Sequence, residues 1–185
     1  RAINHFIKRR ISENSSVNCV IEESTEIFKE LDRFFLSLTQ SRRARTGIAF
    51  ETILRTLFKK LDYPFEEQQV INGKPDFLMP NQKYYNRNAM DCIIFTAKRT
   101  LRERWRQIVI EGTRGLGFYL ATIDEKVSTI QLDEMKNHRI YLVMPESIKS
   151  NNTKYNAQAN VITFEEFFQY HLDPAVKRWR ARKII

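Results

Sequence analysis

Apolar residues recur every three or four positions across residues 24–40, where Ile27, Leu31, Phe34, Phe35 and Leu38 share one side. That spacing predicts a helix, with Ser24 beside Thr25 and Glu26 as its cap. A second helix is expected over residues 46–63, with Phe50, Ile53, Leu54, Leu57 and Phe58 on its apolar side and Pro64 as its end; the basic cluster SRRAR (41–45) stands between the two. After Pro64 the period changes. Residues 65–71 and 74–79 read as two strands joined by a tight Asn72-Gly73 turn, the Asn-rich residues 81–88 as a loop, and residues 90–97 as a buried third strand. A helix is expected from about Thr100 through Glu111, then strands over 117–123, 139–145 and 160–164, with helical segments over 128–137 and 165–172. Strands and helices in this order predict an α/β fold, a mixed sheet with helices on its faces.

Composition narrows the class. A chain of 185 residues is one ordinary domain, able to bury ~70% of its unfolded surface without disulfide or structural metal. With 42% hydrophobic and 12% aromatic residues it is a packed globule. The formal charge of +9 and pI near 9.7 point to a polyanionic partner, because clustered Lys and Arg release phosphate counterions on binding. Cys19 and Cys92 are far apart and carry no ligand spacing, which fits a reducing, intracellular setting and supports neither a disulfide framework nor a zinc site. His5, His138 and His171 are scattered and read as surface or core histidines. No apolar run approaches the ~20 residues of a membrane span, and no signal-peptide pattern opens the chain. The chain begins on Arg1 rather than Met, as expected of a fragment of a longer chain.

Charged residues then gather around two strands. Asp76 follows Pro75 on the second hairpin strand, and Lys98 ends the next strand. Neighbouring antiparallel strands bring two such side chains to one end of a sheet. Phosphodiester hydrolysis needs that meeting, with carboxylates to hold a hard divalent cation and a lysine to polarise water or offset charge on the phosphate. Glu111, seven positions after Arg104, projects from nearly the same side of the expected helix two turns on, while Leu101, Trp105, Ile108 and Val109 pack against the sheet. Taken singly, each signal has an ordinary explanation. Pro-Asp is a common turn, a lysine beside a strand is often a solvated gatekeeper, and a glutamate in an Arg-rich helix often pairs with arginine.

Taken together, the pattern resembles the PD-(D/E)xK nucleases. Most of these place their second acid two residues before the lysine, where this chain has Thr96, but one branch of type II restriction endonucleases moves that acid onto the following helix. Pro75, Asp76, Lys98 and Glu111, with twelve residues between the last two, fit that variant. The blocks RRARTGIAFETILRTLF, KPDFLMPNQKYY and AKRTLRERWRQIVIEGTR are similar to the branch that includes the EcoRII catalytic domain and PspGI. The resemblance implies a restriction-endonuclease-like mixed sheet flanked by helices. It implies a single catalytic nuclease domain over 1–185, made of an N-terminal helical part (1–45) and a PD-(D/E)xK core (46–185). It also implies Mg²⁺ as cofactor on Asp76 and Glu111, Glu51 as an auxiliary acid, and an active-site tyrosine at Tyr85, with the adjacent Tyr84 competing for that place.

In relatives that cut sites containing CC and GG, an Arg-Glu-Arg tripeptide at the start of this helix enters the major groove. Arg102, Glu103 and Arg104 have that composition and order. Arginine forks onto guanine O6 and N7, and a carboxylate accepts from cytosine N4. The competing reading is a solvated basic face in which Glu103 pairs with Arg99 or Arg106. Arg42, Arg43, Arg99 and Arg106 are the candidates for backbone phosphates. The basic end, with Lys177, Arg178 and Arg180, reads either as a phosphate grip or as a plain tail. The function implied is a Mg²⁺-dependent, sequence-specific double-stranded DNA endonuclease cutting a site such as CCWGG or CCNGG, in a prokaryotic cytoplasm and without a membrane, as a homodimer by default or as a monomer that nicks the strands in turn. The alternatives are a resolvase or repair nuclease of the same superfamily, or a non-catalytic DNA-binding module on the same scaffold.

Overall fold

Alternation along the strands sets the architecture. The computed structural model describes residue 16 and residues 28–71, 73–101 and 117–185. Two compact units divide the chain, Arg1–Thr46 and Gly47–Ile185. The first described element, α1 (Phe28–Lys60), is a single helix that belongs to both. Two helices separated by the basic cluster were expected, and the expected cap at Ser24 lies outside the described residues. Residues 41–45 do not break the helix because Arg and Ala are good helix formers and neither Gly nor Pro occurs among them. The Thr39 and Thr46 hydroxyls donate back to the carbonyls of Phe35 and Arg42 at 2.9 and 2.6 Å, which keeps these residues compatible with a helix interior.

In the second unit, six strands lie in sequence order: β1 (Glu66–Glu67), β2 (Phe77–Met79), β3 (Ile93–Ala97), β4 (Gly117–Ala121), β5 (Ile140–Met144) and β6 (Val161–Thr163). β1, β2 and β3 pair antiparallel, and β3 through β6 pair parallel, so the sheet is mixed as expected. Every residue of β2, β3 and β4 is buried, the pattern of strands covered on both faces. Phe77, Met79, Phe95, Tyr119 and Val143 face Leu54 and Phe58 of α1 and the C-terminal helix. Leu78, Ile94, Leu120 and Leu142 face the other way, against Tyr85, Leu132 and Met135. The period of two divides the core cleanly.

Several boundaries differ from expectation. The strand expected over 65–71 keeps only Glu66–Glu67 in regular pairing, because Gln68 turns to φ 54°; an isolated bridge joins Ile71 to Gly73, whose φ of 138° suits glycine. Residues 81–88, expected as a loop, form α2 (Gln82–Asn88). Asparagine is a weak helix former, but the Asn81 side chain caps the Tyr84 N–H at 2.8 Å and Tyr85 is buried beneath the helix, so packing overrides propensity. The expectation over 128–137 holds as α3 (Thr129–Asn137), with Ser128 and Gln131 forming a capping box. Two short helices, α4 (Glu146–Ser150) and α5 (Thr153–Asn156), follow β5.

The largest correction is at the C-terminus. The helical segment expected over 165–172 runs on, from α6 (Phe164–Glu166) through a π-helical turn (Phe167–Leu172) into α7 (Asp173–Ala181). The basic end is therefore a packed helix rather than a plain tail: Trp179 is wholly buried and Arg178 is ion-paired to Asp91 at 2.7 Å, while Lys177 and Arg180 are exposed. Leu172, Val176 and Trp179 carried the helical period, and the surrounding charges masked it.

His171, on the π-helical turn, lies 2.9 Å from the Tyr119 hydroxyl by its Nδ1, with Phe167 and Tyr141 against its ring. Burial pushes its pKa down, against a smaller opposing pull from Glu166. The unfolded chain therefore takes a proton near pH 6.5 that the folded chain refuses until a lower pH, so stability falls as pH drops below about 6.5. Melting temperatures measured from pH 7 to pH 5 should decline more steeply for the natural chain than for His171→Phe. Equal slopes would show that His171 titrates alike in both states.

Candidate active site

β2 and β3 place the first pair of functional side chains. Their register sets Phe77 opposite Phe95. One step further along each strand, Asp76 meets Thr96 on the face occupied by Leu78 and Ile94. Asp76 is 6% exposed, and its carboxylate is held at both oxygens. Oδ2 accepts from the Thr96 hydroxyl at 2.7 Å, the Ala97 N–H at 2.7 Å and Lys98 Nζ at 3.1 Å; Oδ1 accepts from the Gln68 side-chain amide at 3.2 Å. Thr96, where most PD-(D/E)xK chains have an acid, is thus a hydrogen-bond donor to the acid that remains. Lys98 itself is one-third exposed and anchored by its N–H to the Ala121 carbonyl at 2.9 Å, so β4 fixes its backbone.

Glu51, on the second-unit stretch of α1, is the nearby second carboxylate. Burial raises its pKa first, then the negative charge of Asp76; Lys98 and Arg55 oppose the shift, and Glu67 adds to it. Around this pair, Arg55 Nε donates to Glu67 Oε1 at 2.6 Å and the Gln82 N–H to Glu66 Oε2 at 2.8 Å, which occupies both β1 glutamates. Among the described residues no three of His, Cys, Asp and Glu cluster as a complete metal cage.

The two tyrosines separate. Tyr84 donates its hydroxyl to Asp91 at 2.8 Å, at the end of β3 away from Lys98. Tyr85 is 8% exposed and packs in the core cluster with Leu78 and Ile94, on the face that carries Asp76. Arg42 and Arg99 are exposed. Glu111, Arg102, Glu103, Arg104 and Arg106, and the side chain of Arg43, lie outside the described residues. The last described residue before them, Leu101, is buried, and its N–H is held by Asp124 Oδ2 at 2.9 Å. Sequence reasoning brought Asp76, Lys98 and Glu51 forward. It missed Gln68, for which no local pattern gives a signal.

Known proteins share this fold. Over 192 aligned residues the chain is 30% identical to the type II restriction enzyme SsoII of Shigella sonnei, covering 97% of this chain and 62% of that enzyme. The structure is similar to that of metal-depleted Ecl18kI in complex with uncleaved DNA, with a TM-score of 0.79 and 30% identity over 95% of this chain and 62% of Ecl18kI. It shares the fold of the restriction endonuclease PspGI in its substrate DNA complex, with a TM-score of 0.62 and 20% identity over 95% of this chain and 87% of PspGI. The chain thus spans about three-fifths of the length of SsoII and of Ecl18kI. Residues 8–168 match the family model described as EcoRII C terminal, and the chain belongs to that family.

Proposed function

We propose that this chain carries the catalytic part of a Mg²⁺-dependent, sequence-specific double-stranded DNA endonuclease that cuts at a CC/GG-containing site such as CCWGG or CCNGG. The observation that supports the reading most is the 3.1 Å contact between Lys98 Nζ and the buried Asp76 carboxylate at one end of strands β2 and β3. The net charge of +9 suits a polyanion.

The residues present suit a divalent cation. Among the described residues Asp76 Oδ1 accepts one hydrogen bond and keeps acceptor capacity, its oxygens are hard, and a cation would relieve both the burial of the Glu51 carboxylate and its repulsion by Asp76, which together raise its pKa. Asp76 would hold Mg²⁺ together with Glu111, with Glu51 as an auxiliary acid. When bound, Mg²⁺ supplies positive charge against the phosphate oxygens as negative charge builds. Lys98 keeps one N–H on Asp76 and offers its others to the attacking water and the scissile phosphate, so it orients one and neutralises the other. The Thr96 and Ala97 donors hold Oδ2 so that Asp76 does not rotate during the reaction. Tyr85, in the core cluster on the face that carries Asp76, would be the active-site tyrosine. Arg102, Glu103 and Arg104 select bases in the major groove, and Arg42, Arg43, Arg99 and Arg106 hold backbone phosphates. Cutting both strands takes two active sites, which a homodimer provides.

Digestion of a plasmid of known sequence with Mg²⁺ tests the reading, followed by mapping of the ends. Discrete fragments whose ends share a CC/GG motif are expected. Random nicking would instead favour a superfamily nuclease of another kind, and intact DNA that is nonetheless retarded in a gel would mean a binding module without chemistry.

A further inference from the structure

Four non-glycine residues among those described have a left-handed backbone: Asp62 (φ 56°), Gln68 (54°), Arg139 (57°) and Lys183 (55°). Three of them close helices. The Asp62, Arg139 and Lys183 N–H groups bond back to the carbonyls of Lys59, Lys136 and Arg180, just past the ends of α1, α3 and α7. Gln68 closes no helix. It follows β1, and its N–H reaches the Asp76 carbonyl at 3.3 Å, so it continues the β1–β2 register opposite Asp76 while its backbone turns left-handed. Glycine is the residue such a position favours, and glutamine gains nothing locally from a left-handed φ. Its gain is elsewhere: the conformation carries the side-chain amide to Asp76 Oδ1 at 3.2 Å. An unfavourable backbone kept beside a reactive carboxylate is the arrangement in which local cost serves a site.

We propose that Gln68 is a positioning residue for the divalent-metal site: it fixes Oδ1 of Asp76 so that the remaining acceptor direction of that oxygen faces the cation. The assignment rests on the nuclease reading above. Oδ2 is already held by Thr96, Ala97 and Lys98, so Oδ1 is the oxygen with room for a metal, and Gln68 is its one donor among the described residues. The choice of an amide follows from charge. A lysine or arginine there would orient the oxygen equally well and repel the incoming ion, whereas a neutral amide orients it without adding positive charge.

Two variants of the full chain separate this role from a structural one. Gln68→Gly keeps the backbone it prefers and loses the amide. The turn retains its backbone bond from residue 68 N–H to the Asp76 carbonyl, and the Gln69 side chain still donates to the Glu67 carbonyl at 3.0 Å. Gln68→Asn tolerates the left-handed φ but is one carbon too short to reach Oδ1. Mn²⁺ binding, followed by the EPR signal of the free ion, should weaken about tenfold in both variants. The thermal midpoint of Gln68→Gly should stay level or rise, and excess Mg²⁺ should recover much of the single-turnover cleavage rate. Unchanged Mn²⁺ affinity in both variants overturns the assignment, as does a lower midpoint of Gln68→Gly with affinity intact, since Gln68 then serves the hairpin alone. A natural chain that neither cuts duplex nor binds Mn²⁺ overturns the nuclease reading and this assignment with it, whereas an active natural chain with normally binding variants overturns this assignment alone.

Discussion

Replacing Lys98 with alanine is expected to slow single-turnover DNA cleavage by about 10³-fold, roughly 4 kcal/mol of transition-state stabilisation, while metal-free duplex binding changes little. The geometry separates chemistry from folding at this residue. Lys98 is one-third exposed, so its removal opens no cavity in the core. Asp76 keeps the Thr96 hydroxyl, the Ala97 N–H and the Gln68 amide, so no buried carboxylate is left without donors. The melting temperature should therefore move little. Lys98→Arg should not restore the rate, because a planar guanidinium cannot replace a compact ammonium at a site that close to Asp76. Lys98 also opposes the upward shift of the Glu51 pKa, so its loss should carry the protonation of Glu51 to higher pH. Cleavage within tenfold of the natural rate would remove Lys98 from the proposed mechanism.

What was legible in the sequence follows the distance over which each feature is determined. The mixed sheet could be read because each strand announces itself locally, by the near-continuous apolar runs of β3, β4 and β5. The meeting of Asp76 and Lys98 could be read because consecutive strands usually pair, and an antiparallel pair returns the second strand's end to the first strand's beginning. The unbroken course of α1 was obscured by a charge cluster that looks like a connector although each of its residues suits a helix. α2 was obscured by asparagines whose weak propensity is outweighed by one cap and one buried tyrosine. Gln68 was invisible because nothing in a glutamine marks a left-handed turn. The role of Asp91 was invisible for another reason: its partners lie 87 and 91 positions away, on α7 and just beyond its end, beyond the reach of any periodic pattern.

That long-range knot yields the second large effect. Asp91→Ala should destabilise the fold by about 3 kcal/mol, since removing one partner of a largely buried pair leaves the others uncompensated. Asp91 is 7% exposed at the entry to β3, and it accepts from Tyr84 Oη at 2.8 Å, from Arg178 Nε at 2.8 Å and from Arg182 Nη1 at 3.2 Å. Its carbonyl also accepts from Trp179 Nε1 at 3.0 Å, a backbone bond that the substitution spares. The side chain of Arg178 is 35% exposed and that of Arg182 56%, so water recovers part of what both arginines lose; this places the estimate at the lower end of the range for buried pairs. For a chain of this length the melting temperature should fall by roughly 6–12 °C. A double-mutant cycle with Arg178→Ala divides the effect. Coupling should be large between Asp91 and Arg178, whose two guanidinium nitrogens fork onto one carboxylate oxygen at 2.8 and 2.7 Å, and small between Asp91 and the more exposed Arg182. If urea denaturation of Asp91→Ala instead matched the natural chain, α7 would be held by the burial of Trp179 and Val176 alone, and the ion pairs would be passengers on a hydrophobic contact.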